Sequence, residues 1–181
     1  MTLTPFSPLS RIDALIVAIA ESGRAATEAE LREIAAYVAA KGFDPLSANT
    51  VDRRGAGVQW EGHMYQRGEV CTNELRHFLV HVLAQGEWPA GTSLAQYVQA
   101  LRDAVCDPES GIHLSYSGDR WQLSFFALTR AARGPRGGTY ILVGYAPTYG
   151  WWSTGFQIES PATYLATKTN WRDTQWLRHP K

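Results

Sequence analysis

Apolar side chains recur at intervals of three and four along the first hundred residues, the spacing of helices that bury one face. Four stretches show this pattern, and their apolar positions are Ile12/Leu15/Ile16/Ile19, Leu31/Ile34/Ala35/Val38, Leu75/Phe78/Leu79/Val82 and Leu94/Tyr97/Val98/Leu101. Ser10, Thr27 and Ser93 stand where they can cap three of these helices. The sequence therefore predicts about four helices in the N-terminal part of the chain.

From Ile112 the period changes to two, the alternation of a strand with one buried face. Ile112 to Tyr116 and Trp121 to Leu128 flank a Ser-Gly-Asp turn, and Thr139 to Tyr145 and Trp151 to Ile158 form a second pair. A glycine-rich basic loop connects the two hairpins. The predicted fold class is α+β, with N-terminal helices (about four) followed by a four-stranded antiparallel sheet.

The signals weaken between residues 43 and 70, where Asp44-Pro45 and a Gly-Ala-Gly triplet are typical of loops. This weak stretch divides the chain into a helical hairpin over residues 1–45 and an α+β domain over residues 58–181. The length of 181 residues is nevertheless typical of one domain. We therefore expect the two parts to pack as one compact unit.

The composition argues against several classes of protein. The longest uninterrupted apolar stretch, residues 14–20, is far shorter than the roughly 20 residues that cross a bilayer, and no basic region precedes it. Cys71 and Cys106 lie 35 positions apart without a CxxC motif, which favours reduced thiols over a disulfide or a zinc site. These observations predict a cytoplasmic protein with no membrane partner and no cofactor.

Charge is unevenly distributed along the chain. Residues 1–109 carry 9 Lys and Arg against 14 Asp and Glu, whereas residues 110–181 carry 8 against 3. Six of the seven tryptophans lie at or after Trp88, so the basic part is also the aromatic part. Basic surface with interleaved aromatic rings neutralises phosphates and stacks bases, which favours RNA as a partner. Acidic helices packed beside a basic sheet would give the same asymmetry without any partner.

The third predicted helix carries two histidines four residues apart. His77 and His81 lie away from its apolar stripe, together with Glu74 one turn earlier. A solvated helix face with two surface histidines would account for this pattern, and so would a general acid and base pair. A metal site is a further alternative, but it requires a third ligand such as Glu74 or Glu61, and the chain has no HExxH motif.

A second cluster of candidate residues covers positions 144–156, where aromatic and hydroxyl side chains alternate. A strand with this pattern offers rings to a ligand, with hydroxyl groups close by. Cross-strand packing of tryptophans in the core is the simpler interpretation of the same pattern. The cluster alone therefore leaves structure and function open.

A helix with Arg76-His77 and His81, an Asp107-Pro108 turn, two hairpins and a strand reading Trp152-Ser153-Thr154-Gly155-Phe156 follow one another along the chain. This order resembles the barnase/EndoU/colicin/RelE-like (BECR) superfamily of small endoribonucleases, in its phage-borne and polymorphic-toxin members. The resemblance covers about residues 58–160. It implies a toxin or defence effector that cleaves RNA without a metal ion or cofactor, with a cognate inhibitor protein as a second partner.

The resemblance also implies roles for the matching residues. The ribose 2′-hydroxyl would attack the adjacent phosphorus, with histidines as base and acid, and hydroxyl groups and arginines would hold the phosphate. An aromatic ring would stack a base. The implied catalytic residues are His77, His81, Thr154, Ser153 and Arg76, and the implied substrate-binding residues are Arg130, Arg133, Tyr149 and Trp152.

Two other histidines are less prominent. His113 alternates with the apolar Ile112 and Leu114, so we expect it on the solvated side of its strand and assign it no role. His63 is a further catalytic candidate, because EndoU-like sites use histidines from separate segments. A histidine in a loop is the simpler interpretation of His63.

A non-enzymatic protein-binding module, such as an immunity or scaffold protein that has kept the fold, is the alternative hypothesis. It is favoured by the absence of lysine between Lys41 and Lys168, because the resembling enzymes often use a lysine on the sheet. Convergence of His77, His81 and Thr154 in one cleft would favour the enzyme. Histidines on separate faces would favour the module.

Overall fold

The computed structural model describes residues 9–41, 48–130 and 133–181. The helices are α1 (Arg11–Ser22), α2 (Glu28–Lys41), α3 (Asn73–His77), which continues directly as a π-helical segment (Phe78–Ala84), α4 (Leu94–Cys106) and α5 (Pro161–Ala166). The strands are β1 (Ala48–Thr50), β2 (Gln59–Trp60), β3 (His63–Met64), β4 (Val70–Thr72), β5 (Gly111–Ser117), β6 (Arg120–Leu128), β7 (Tyr140–Ala146), β8 (Trp151–Ile158) and β9 (Arg172–Arg178). The predicted Asp44-Pro45 loop lies outside the described residues. Within these ranges, none of the helices combines the length and the apolar content that a membrane span requires.

The main sheet has five antiparallel strands in the order β8-β7-β6-β5-β9. The two predicted hairpins supply β5 to β8, whereas β9 comes from the C-terminal segment and pairs with β5. Two small sheets, β1-β4 and β2-β3, lie between α2 and α3 along the chain. The predicted order of four helices followed by a four-stranded sheet is therefore wrong, because strands precede α3, α5 follows β8 and the sheet has a fifth strand.

Strand β9 was not predicted from the sequence because its side chains do not alternate between apolar and polar. Its first three residues are exposed, and its place in the sheet depends on contacts with distant residues. Trp176 packs edge-on against His113 at 5.0 Å between ring centroids, and Arg178 Nε donates to the Ser110 carbonyl at 2.7 Å. Neither contact has a signature in the local sequence.

Helices α1, α2 and α4 pack on one face of the main sheet, which we call the inner face. The strand residues buried there are Ile112, Leu114, Leu123, Phe125, Ala127, Ile141, Val143, Tyr145 and Trp152. Ile16 of α1 and Ile34 of α2 belong to the same hydrophobic core. Successive side chains of a strand point to opposite faces, so the remaining positions of β5 to β8 form an outer face.

A buried carboxylate ties α1 to the sheet. Asp13 is 3 % exposed, and its Oδ1 accepts a hydrogen bond from Tyr145 Oη at 2.7 Å while its Oδ2 accepts one from Ser10 Oγ at 2.6 Å. Burial, reinforced by the hydrogen bond to Asp13, raises the pKa of Tyr145, so the phenol stays protonated as the donor. Polar as well as apolar contacts therefore fix α1 to β7.

Replacing Tyr145 by phenylalanine removes one of these donors and keeps the ring. We expect the free energy of unfolding to fall by about 2 kcal/mol, because a hydrogen bond to a charged group contributes about 1.5–3 kcal/mol. Tyr37→Phe is the matched control, since its hydroxyl lies 3.5 Å from Asp13 Oδ2 and should contribute less. Chemical denaturation measures both variants, and equal losses would contradict this account.

Candidate functional site

The two histidines of the third helix lie along the edge of the main sheet. α3 and the π-helical segment run beside β8, which is a terminal strand of that sheet. His77 and His81 are 5 % and 4 % exposed, and their rings stack with centroids 5.7 Å apart. The interpretation of two surface histidines on a solvated helix face is therefore wrong.

Neighbouring side chains satisfy the backbone groups that β8 leaves unpaired along this edge. Asn73 Nδ2 donates to the Trp152 carbonyl at 3.0 Å, and Tyr97 Oη donates to the Gly155 carbonyl at 2.6 Å. An open edge would expose these groups to pairing with another chain. The helical segments therefore close this side of the sheet.

His81 contributes to the same edge through a buried carboxylate. Its Nδ1 lies 2.8 Å from Glu87 Oε1, while Glu87 Oε2 accepts a hydrogen bond from the Gln157 N–H of β8 at 2.7 Å. The His81 ring also stacks on Phe156, with centroids 5.0 Å apart. His81 and Glu87 thus fix the C-terminal half of β8.

His77 supports the N-terminal half of β8. Its ring centroid lies 5.0 Å from that of Trp152. Burial, with smaller effects from His81 and Arg76, lowers the pKa of His77 to about 3. An imidazole with this pKa is neutral at pH 7, and this ring is enclosed between His81 and Trp152. The geometry therefore favours a supporting role for His77.

Arg76, beside His77, is engaged in an ion pair with Asp52. Its Nη2 lies 3.2 Å from Asp52 Oδ2, and its side chain is 27 % exposed. Asp52 also accepts hydrogen bonds from the backbone N–H groups of Arg54 and Gly55. Arg76 therefore ties the loop after β1 to α3.

Ser153 and Thr154 belong to the outer face, where polar side chains of β5, β6 and β8 form a row. The register places one residue from each of β5 to β8 side by side, namely His113, Ser124, Gly144 and Thr154. A register shift after Gly144 brings Ser153 to the same face. Gln122 Nε2 donates to Ser153 Oγ at 2.9 Å across the space that the glycine leaves open. We call this set the polar row; its members are His113, Ser115, Gln122, Ser124, Ser153 and Thr154.

Two members of the polar row are buried without hydrogen-bond partners among the described residues. His113 is 5 % and Ser115 0 % exposed, and the atoms concerned are His113 Nδ1 and Ser115 Oγ. Trp171 and Trp176 lie against the His113 ring, with centroids 6.4 and 5.0 Å away. Burial lowers the pKa of His113 to about 4. The prediction that His113 faces solvent is wrong, because the C-terminal segment covers it.

Sequence reasoning missed most of the polar row although a signal for it exists. His113 and Ser115 interleave with the apolar positions of β5, and Gln122 and Ser124 do the same on β6. Alternation alone assigns such residues to solvent. Only the pairing register, together with the covering segment, shows that they form one buried polar surface.

Two exposed aromatic rings lie at the turn between β7 and β8. Tyr149 and Trp151 stack nearly in parallel with centroids 5.5 Å apart, and they are 39 % and 43 % exposed. The Arg120 guanidinium, from the neighbouring turn, lies 5.3 Å from the Tyr149 ring centroid. We call Tyr149 and Trp151 the aromatic platform. Trp152, the other ring predicted to stack a base, is 0 % exposed and points into the core.

The predicted substrate-binding arginines lie at the other end of the sheet. Arg130 follows β6 and pairs with Asp107 and Glu109 at 3.2 and 3.1 Å. Arg133 lies in the loop that precedes β7, whereas Tyr149 follows the end of that strand. A strand of seven residues spans about 20 Å. These arginines and the aromatic platform therefore do not form one compact site.

Among the residues that the structure describes, no three His, Cys, Asp or Glu side chains converge as a set of metal ligands. The pair formed by His77 and His81 thus finds no third ligand of these types there. Glu61 and Glu74, the carboxylates considered for that role, line an open cavity of about 630 Å³ beside Trp60. The geometry gives the metal hypothesis no support.

No protein-family model matches this chain, and no significant match was found among curated proteins or among solved structures. The resemblance to the BECR superfamily therefore stays a prediction.

Proposed function

We propose that this chain is an endoribonuclease that binds single-stranded RNA across the outer face of its sheet and cleaves it without a metal ion. One observation carries the proposal: the aromatic platform adjoins the polar row, since Trp151 and Ser153 lie two positions apart on β8. Stacking rings next to hydroxyl groups match the two parts of a nucleotide, the base and the ribose phosphate.

The distribution of charge supports RNA as the ligand. Arg120 stands over the aromatic platform, and residues 110–181 carry 8 Lys and Arg against 3 Asp and Glu. Cations near a stacking surface attract the phosphate backbone and make the affinity depend on salt. The opposite charge of residues 1–109 leaves the sheet as the part of the chain suited to a polyanion.

The proposed cleavage needs only groups of the RNA and of this chain. The 2′-oxygen attacks the adjacent phosphorus, the bond to the 5′-oxygen breaks, and the products are a 2′,3′-cyclic phosphate and a 5′-hydroxyl. Ser153 and Thr154, on the strand that carries Trp151, would donate hydrogen bonds to a backbone phosphate next to the stacked base. His77 and His81, being buried, would act as positioning residues that hold β8 from its edge.

Replacing both Tyr149 and Trp151 by alanine is expected to weaken binding of a single-stranded oligoribonucleotide by about ten- to a hundredfold. The reason is that stacking of one base on an aromatic ring contributes about 1–3 kcal/mol. Fluorescence anisotropy with a labelled oligonucleotide measures the change. Leu128→Ala is the control, since it removes an exposed apolar side chain at the opposite end of the sheet. Equal affinity in the double variant and the wild type would contradict the proposal.

A non-enzymatic protein-binding module is the second candidate function. The exposed platform favours it, because stacked aromatic rings beside an arginine are typical anchors of protein interfaces. A cognate inhibitor of the enzyme would use the same rings. The two functions differ in their response to RNA, since the module would bind no oligoribonucleotide at physiological salt. Lack of RNA binding by the wild-type protein would therefore select the module.

A further inference from the structure

Two unpartnered polar groups lie close together on β5, beneath the C-terminal segment. His113 and Ser115 point to the outer face, and both are more than nine-tenths buried, yet His113 Nδ1 and Ser115 Oγ have no hydrogen-bond partner among the described residues. Folded proteins rarely bury polar groups in this way, and each exception calls for a bound molecule or a function. The two atoms therefore mark a place where a polar ligand completes the hydrogen bonding.

One of the two rings that cover His113 belongs to a segment without regular structure, whereas the other, that of Trp176, belongs to β9 and is paired with β5. Trp171 lies between α5 and β9, and its ring is inclined by 24° to the His113 ring. Its backbone N–H donates to the Lys168 carbonyl in the same turn, whereas pairing with β5 begins at Arg172. Trp171 is also half-buried rather than enclosed. It can therefore move away from His113 without breaking the ladder between β5 and β9.

We propose that Trp171 is a displaceable cover and that His113 is the base that removes the 2′ proton once RNA takes the place of the indole. This inference rests on the proposed function. A neutral imidazole protonated on Nε2 keeps Nδ1 free as an acceptor, which suits a hydroxyl proton. Ser115 Oγ, from the next outward position of the strand, donates to a phosphate oxygen of the same nucleotide.

The proton lost by the 2′-hydroxyl and the proton gained by the 5′-oxygen balance with RNA and water alone. His113 Nδ1 takes the proton of the 2′-hydroxyl as the 2′-oxygen forms its bond to phosphorus. The bond from phosphorus to the 5′-oxygen breaks, and that oxygen takes a proton from water. The hydroxide that remains recovers the proton from the imidazolium, so the enzyme returns to its starting state.

His113→Ala is the first test, with Leu128→Ala as the control at an exposed side chain at the other end of the sheet from the aromatic platform. We expect cleavage of a labelled single-stranded RNA to fall about a hundredfold or more in His113→Ala, because general base catalysis contributes about 10²–10⁴-fold. Binding of the same RNA should change little. Added imidazole should restore part of the cleavage in His113→Ala, which a purely structural residue would not allow.

Trp171→Ala tests the cover. Removing the indole should raise the affinity for the RNA about tenfold. In the wild type only the molecules in which Trp171 has moved away from His113 can bind RNA, whereas every molecule of the variant can. A thermal melt establishes that the variant is folded. If it is not, Ser115→Ala, a smaller change at a buried position, should slow cleavage about tenfold, since a hydrogen bond of about 1.4 kcal/mol corresponds to that factor.

The outcomes separate this inference from the proposed function. Full cleavage by His113→Ala, together with weak binding by the platform variant, would overturn the role of His113 and leave the RNA site in place. Loss of cleavage in His113→Ala without rescue by imidazole would also overturn it. A wild-type protein that neither binds nor cleaves the RNA would overturn both proposals.

Discussion

Lowering the pH from 6 to 4 is expected to reduce the free energy of unfolding, because His77 must stay neutral in the folded protein. Its pKa is lowered by burial to about 3, against about 6.5 in an unfolded chain. Between these values the unfolded state binds a proton that the folded state does not. The stability is therefore complete above pH 6.5 and is lost as the pH falls toward 3, by about 2 kcal/mol between pH 6 and 4. The lowered pKa of His113 acts in the same direction.

Urea denaturation at several pH values measures this dependence. His77→Gln removes the titrating group, so the slope of stability against pH should become shallower, whatever the absolute stability of the variant. His63→Gln is the control, because the His63 side chain is 54 % exposed. A slope that does not change in His77→Gln would show that His77 is not held neutral by burial.

Replacing Glu87 by alanine is expected to destabilise the fold by about 3 kcal/mol or more. The carboxylate accepts hydrogen bonds from His81 Nδ1 at 2.8 Å and from the Gln157 N–H at 2.7 Å, and all three residues are buried. Alanine would leave both donors without a partner, and each buried donor left unsatisfied costs about 1–3 kcal/mol. The loss would also free part of the β8 edge.

The matched control for this change is Glu109→Ala. Glu109 pairs with Arg130 at 3.1 Å, but its side chain is 53 % exposed, so its removal should cost less than about 1 kcal/mol. Thermal and chemical denaturation of the two variants provide the comparison. Similar losses in both would contradict the view that the buried carboxylate secures the edge strand.

The helices could be predicted because their signals are local. Ser10 accepts a hydrogen bond from the Asp13 N–H, and Ser93 forms a capping box with Gln96, as the spacing indicated. The apolar stripes of α1, α2 and α4 face the core in the predicted way. The two hairpins also follow from alternation and turn residues, so the centre of the main sheet was accessible from the sequence.

The rest of the fold depends on contacts between residues far apart in the chain. Strands β1 to β4 have only two or three residues each, too few to show a period. The π-helical segment is buried on several sides, since Phe78 packs on Tyr97 while Leu79 and Val80 approach Gly55. A single apolar stripe therefore does not describe this helix. For the same reason, the interpretation that placed the two histidines opposite the stripe in solvent is wrong.

The candidate site was predictable only in part. Ser153, Thr154 and Tyr149 were chosen from the sequence and lie on or beside the outer face. His113 was set aside because alternation placed it in solvent, and the covering Trp171 could not be foreseen. The partners of these residues lie on other strands, and a register is a tertiary property.

The most direct test of RNA cleavage across the outer face compares two labelled oligonucleotides of one sequence, one of RNA and one of DNA, in excess EDTA. We predict that the purified protein cuts the RNA to products with a 2′,3′-cyclic phosphate, leaves the DNA intact, and loses cleavage when Tyr149 and Trp151 are both alanine. Absence of RNA cleavage, or cleavage that EDTA abolishes, would contradict the account.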